Sequence, residues 1–133
     1  MHVSTEVAKG LAQHQGNLYL NGLIILTEET ASALAQHKEG GLALDGLTNP
    51  SAQVLDALKD HKGWLSLDGL SRLSQRHARL LVAAKGDLYL NGLSELSDDV
   101  ANILGAHEHD LYLDGLQSLA PTAAEGLSAC KGN

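Results

Sequence analysis

The chain has 133 residues, 44% of them hydrophobic, which suits one soluble domain with a continuous core. Its formal net charge of −7 argues against nucleic acid, whose phosphates call for clustered Lys and Arg, and makes a basic target the natural partner. Aromatic residues are 3% and Phe is absent, so Leu and Ala must do the packing, while the lone Cys130 excludes an intrachain disulfide and fits a reducing compartment. The opening MHVSTEVAKGLAQ lacks a signal-peptide pattern and no apolar window approaches a membrane span, so no membrane partner is expected and a cytoplasmic location is the default.

Residues 1–17 read as a leading helix, from Ser4 to His14, and a loop. At Leu18 begins LYLNGL, an alternating apolar run that ends in Asn-Gly. Alone, that pattern signals a β-hairpin, because a primed turn needs positive φ at both central residues. Near-copies follow at Leu42 (LALDGL), Leu65 (LSLDGL), Leu88 (LYLNGL) and Leu111 (LYLDGL), at intervals of 24, 23, 23 and 23 residues. A fixed period of that size marks a solenoid.

Each hexamer also leads into a helical pattern, not into a second alternating run. After Leu23, the residues Leu26, Thr30, Ala31 and Leu34 recur at helical spacing, with Thr27 placed to cap and Glu28 and Glu29 in the first turn. The unit is therefore strand, Asx-Gly bend, helix and return loop. The capping column runs Ser4, Thr27, Ser51, Ser74, Ser97 and Ala120, the last followed by Pro121. Seven residues beyond each cap stands Leu11, Leu34, Leu58, Leu81, Leu104 or Leu127, a column that must face the core. Ala8, Ala31, Leu55, Ala78, Ala101 and Ala124 precede it and let the helices approach a sheet closely. The plan is one domain over 1–133, with five strand-helix units.

The run Leu-x-Leu-x-Gly-Leu-x-x-Leu-Ser/Thr followed by a helix ending Leu-Ala-x-His resembles a leucine-rich repeat over nearly the whole chain. It is most similar to the cysteine-containing subclass and to simple bacterial arrays. Leu23, Leu47, Leu70, Leu93 and Leu116 stand where that subclass has its first Cys and the common form has Asn, so an Asn or Cys ladder is expected to be absent. The resemblance implies an α/β fold: a right-handed β-α solenoid with a parallel sheet on the concave side and helices on the convex side. It also implies protein binding, with no catalytic chemistry and no cofactor.

Strand alternation then selects the binding residues, since side chains at i and i+2 share a face. If Leu18 and Leu20 point inward, the concave rows are Asn17, Tyr19, Asn21; Gly41, Ala43, Asp45; Trp64, Ser66, Asp68; Asp87, Tyr89, Asn91; and Asp110, Tyr112, Asp114. All four aromatic residues of the protein fall on these rows, with five acids and no base. Such a surface fits a cationic or amphipathic protein or peptide. For the column Asn21, Asp45, Asp68, Asn91 and Asp114, each followed by glycine, a structural role in bonding the adjacent turn is favoured.

His14, His37, His61 and His107 form a second column, with Ala84 and Cys130 in the remaining places. Imidazoles on successive rungs suggest metal binding. The interruption at Ala84 and the lack of a recurring third ligand favour bonding of helix-terminal carbonyls instead, and no metal is expected. The HEHD stretch at 107–110 reads as a solvated loop, His77 as half-exposed, and Arg76 and Arg79 on the outward helix face, with Arg72 and Lys85 nearby, as a basic patch. No phosphate loop, nucleophile-base arrangement or paired carboxylates in a cleft points to an enzyme.

The rival to a binding scaffold is a self-assembling one. The last unit, with Leu111, Leu113, Leu116, Leu119 and Leu127, reads as an interior one, so an open strand edge is expected there. Homo-oligomers stacking through terminal repeats, or an excerpt from a longer array, both fit that pattern.

Overall fold

The computed structural model describes residues 5–37, 40–94 and 96–116. Strands and helices alternate along it: α1 (Thr5–Leu11), β1 (Leu18–Tyr19), α2 (Glu28–Ala35), β2 (Leu42–Ala43), α3 (Ala52–Leu58), β3 (Leu65–Ser66), α4 (Gln75–Leu81), β4 (Leu88–Tyr89), α5 (Asp98–Leu104) and β5 (Leu111–Tyr112). The expected positions at Ser4, Leu119, Ala120, Pro121, Ala124, Leu127 and Cys130 lie outside the described residues. The five strands form one parallel sheet in chain order, with Leu18 paired to Leu42, Leu42 to Leu65, Leu65 to Leu88 and Leu88 to Leu111.

Four helices begin as the capping column requires. Thr27, Ser51, Ser74 and Ser97 each accept, through the side-chain oxygen, the backbone N–H of Thr30, Val54, His77 and Val100. Each cap satisfies a donor that the first helical turn leaves unpaired, an effect of about 1 kcal/mol. The core lies between helices and sheet: Leu34, Leu58, Leu81 and Leu104 are fully buried there with Leu42, Leu88, Leu44, Leu67 and Leu90.

The hairpin signal resolves into a different piece of chemistry. The N–H of Leu23 donates to Leu20 O at 3.1 Å, and Leu47, Leu70, Leu93 and Leu116 close the same four-residue bend in later units. Positive φ occurs among the described residues only at Gly16 and Gly40, so the Asx-Gly glycines are not there for left-handed backbone. They are there for stacking. A Cβ on Gly69 would lie 2.1 Å from Asp45 O, and one on Gly92 or Gly115 would lie 1.8 Å from the carbonyl of Asp68 or Asn91 one rung back. Only glycine lets successive bends nest at that distance.

The side-chain ladder that the Leu column was expected to remove is present two positions earlier. Asn21 Oδ1 accepts the N–H of Asp45 at 2.9 Å, Asp45 Oδ1 that of Asp68 at 2.9 Å, Asp68 Oδ1 that of Asn91 at 2.8 Å, and Asn91 Oδ1 that of Asp114 at 2.8 Å. The Asx column is thus structural, though it bonds the same position in the next rung and not its own bend. A shorter version flanks the strand starts, where Asn17 Oδ1 accepts from Gly41 N and Asp87 Oδ1 from Asp110 N. The Leu column meanwhile packs inward, with Leu23, Leu47, Leu70 and Leu93 no more than 2% exposed.

Candidate functional site

The strand alternation sends Tyr19, 65% exposed, to the face of the sheet opposite the leucines. Tyr89 and Tyr112 occupy the same column on β4 and β5, and their registered positions bring the rings to 4.3 Å with planes 6° apart. The corresponding residues on β2 and β3 are small: Ala43 and Ser66, paired to each other in the register and buried.

Trp64 belongs to a different column, two residues before Ser66 and immediately ahead of β3. A Cβ placed on Gly41 of the neighbouring rung would fall 1.8 Å from Trp64 Cε2, so the indole lies over that glycine. From there its ring reaches Tyr19 at 6.0 Å with a 52° tilt on one side and Tyr89 at 5.7 Å, edge to face, on the other. The four aromatic rings thereby form one connected run from β1 to β5. The two contacts of Trp64 fall in the separation range that aromatic pairs prefer, and the Tyr89–Tyr112 stack is slightly closer.

Between these rings opens a depression of about 390 Å³ lined by Asn17, Tyr19, Asn21, Ala43, Asp45, Trp64, Ser66 and Tyr89. Ala43 and Ser66 lie between the flanking tyrosines, and Asp45 and Asn21 stand at the end where the strands finish. Ser66 was expected as an exposed contact. It is 6% exposed and donates its hydroxyl to Asp45 Oδ1 at 2.5 Å, so it positions the carboxylate from below. Asp45 Oδ1 therefore accepts two bonds, from Ser66 Oγ and from Asp68 N.

The remaining predicted residues divide between ladder and surface. Asp68, Asn91 and Asp87 each accept a bond from the next rung through Oδ1, and Asp114 and Asp110 donate their backbone N–H groups to Asn91 and Asp87. The Tyr112 phenol is held above its ordinary value, chiefly by the neighbouring Tyr89 and then by desolvation and Asp110. Opposition among close polar groups on this face is what raises it.

The histidine column does not behave as one set. His14 is exposed, while His37 and His61 are 0% and 2% exposed and stack at 5.6 Å, their planes 10° apart. None of their four ring nitrogens has a hydrogen-bond partner, so the expected bonding of helix-terminal carbonyls does not occur there. Burial lowers the His61 pKa, with the adjacent His37 adding to it, against a smaller opposing effect of nearby backbone carbonyls such as those of His37 and Trp64. His107 does meet carbonyls: Nδ1 lies 3.2 Å from Val82 O and Nε2 3.1 Å from Gly86 O. Both belong to the preceding unit. HEHD is accordingly split, with His107 fully buried and Glu108 and His109 exposed. Among the described residues no group of three or more His, Cys, Asp or Glu is placed to hold a metal ion.

Arg72, Arg76 and Arg79 are exposed on the helix side, and Arg79 donates to Gln75 Oε1 at 3.3 Å while Lys85 pairs with Asp60 at 3.6 Å. Two features escaped the sequence reading. The overlay of Trp64 on Gly41 could have been suspected from glycine replacing a side chain beside the sole tryptophan. The second is Ile24 and Ile25, 63% and 66% exposed, where the next two units carry Thr48-Asn49 and Ser71-Arg72. Among the described residues no helix is long and apolar enough to cross a membrane. No protein-family model, curated protein or solved structure matches the chain.

Proposed function

We propose that the chain is a short right-handed leucine-rich-repeat solenoid of 23-residue period that binds a protein or peptide through the concave face of its sheet. The carrying observation is that every aromatic side chain of the protein joins one connected run on that face, around a central depression. Rigid aromatic side chains supply contact area at low entropic cost and dominate interface energetics. Five acids on the same rows and no base favour a basic or amphipathic partner. The role is binding without catalysis.

Selection from a random peptide library tests this. Enriched peptides should carry Lys or Arg with apolar residues, and Trp64→Ala or Tyr89→Ala should each weaken their binding by about 1 to 2 kcal/mol with circular dichroism unchanged. Equal affinity in both variants would remove the face from consideration. A second reading, self-association through terminal rungs, is favoured by the exposure of Ile24 and Ile25 on the first unit. Solution mass across a wide concentration range decides it: growth that Ile24→Ser with Ile25→Ser abolishes would establish that interface, and a constant monomer would dismiss it.

A further inference from the structure

We infer that the depression over Ala43 is a socket for a single lysine side chain of the partner. The inference rests on the binding role proposed above and narrows it to one position and one chemistry.

The socket is built by exception. In its column the sheet carries tyrosine on β1, β4 and β5, and only β2 and β3 carry small residues. Tyr19 and Tyr89 rise from strands roughly 14 Å apart, and the indole of Trp64 bridges their rings at 6.0 and 5.7 Å. The small residues Ala43 and Ser66 leave the depression of about 390 Å³ beside these rings, enough for one extended side chain. Trp64 closes the end where the strands start, held over Gly41 because that residue has no Cβ. Asp45 closes the other end.

Aromatic rings line three sides of the socket, and a ring face attracts a cation through its quadrupole, more strongly as water is excluded. The carboxylate at the end selects charge over a merely apolar occupant. It also selects between the two cationic side chains. Ser66 Oγ and Asp68 N already occupy Asp45 Oδ1, so the parallel two-bond grip that a guanidinium makes with a carboxylate is not offered. A lysine ammonium needs only the single contact at Oδ2, and its methylene stem lies along the rings.

The test uses the sole tryptophan, which stands in the wall of the socket, as its own reporter. N-acetyl-lysine amide, N-acetyl-arginine amide and uncharged N-acetyl-norleucine amide are titrated against the whole chain, following Trp64 fluorescence. The lysine probe should bind roughly tenfold tighter than norleucine and more tightly than arginine, with the difference from norleucine shrinking as salt is raised. Asp45→Asn should remove most of that preference while keeping the ladder, since Asn21 and Asn91 accept the same backbone bond in other units. Ala43→Leu should fill the socket and abolish binding of all three probes.

Norleucine binding as well as lysine would overturn the cation socket, and arginine binding as well as lysine would overturn the choice of lysine. Failure of this inference is separable from failure of the broader role. Library peptides that need Trp64 and Tyr89 but ignore Ala43→Leu and Asp45→Asn would leave the face standing and the socket refuted. No binding of either probes or peptides would refute both.

Discussion

The sheet differs across its width, and the contrast between β2–β3 and β4–β5 shows how a repeat acquires individual chemistry. On β4–β5 the outward column is filled by Tyr89 stacked on Tyr112 at 4.3 Å, and the nearby return loop buries His107 against two carbonyls of the preceding unit. Around β2–β3 the same column is Ala43 and Ser66, the indole of Trp64 leans across the strands, and the return loops bury His37 against His61 with no partner for either ring. Both regions have the same backbone unit. What differs is the residue one rung away: Ala84 stands before His107, whose ring meets Val82 O and Gly86 O, whereas His37 stands before His61 and stacks on it. In a stacked repeat each side chain finds its environment in the neighbouring unit, which is why single departures from the period matter.

The largest effect should come from breaking what both regions share. Gly92→Val would drive a branched side chain into Asp68 O, and we expect a loss of about 3 kcal/mol or more, read as a fall in the urea midpoint. A midpoint within experimental error of the parent would show that the bends do not nest as described. The histidines sharpen the contrast at the next level. His107→Ala should cost about 1 to 3 kcal/mol by leaving one of two part-buried carbonyls without its donor. A neutral imidazole donates to only one of the two at a time. His61→Ala removes a ring that makes no such bond, so it should cost less at neutral pH, and Ala84 already occupies the equivalent place.

Acid separates the two regions further. His61 has its pKa lowered from 6.5 by burial and by His37, so the unfolded chain takes up that proton before the folded one does. Its contribution to stability is complete above about 6.5 and is lost as pH falls from there through the lower folded value. We expect the urea midpoint to drop between about pH 7 and pH 5, and the drop to shrink in His61→Ala. A slope that is the same in both proteins would assign the acid sensitivity elsewhere.

The ladder gives the smallest and most selective effect. Asp68→Ala should cost about 1 to 2 kcal/mol because the part-buried N–H of Asn91 loses its acceptor, while Asp68→Asn should stay within about 0.5 kcal/mol. If both substitutions cost the same, charge and not the hydrogen bond is what Asp68 contributes.

Much of the architecture was legible because a repeat states its rules several times. The caps at Thr27, Ser51, Ser74 and Ser97, the inward column at Leu34, Leu58, Leu81 and Leu104, and the outward placement of Tyr19, Tyr89 and Tyr112 all follow from local periodicity. Periodicity fixes which face a residue takes, since that depends only on its place within its own strand or helix. The candidate site was legible as a set of residues but not as a shape.

Three decisions belonged to the tertiary structure alone. The Asx residues spend an oxygen on a backbone 23 or 24 positions away, Trp64 leans along its column to lie over Gly41, and the histidines divide into a bonded ring and an unbonded pair. Each is settled between rungs, by distances of a few ångströms across strands that the chain order separates by a full repeat. By itself the sequence determined the unit and its two faces. Only the stacking of units, in which a missing Cβ or a neighbouring ring leaves or takes space, decided what those faces offer to a partner.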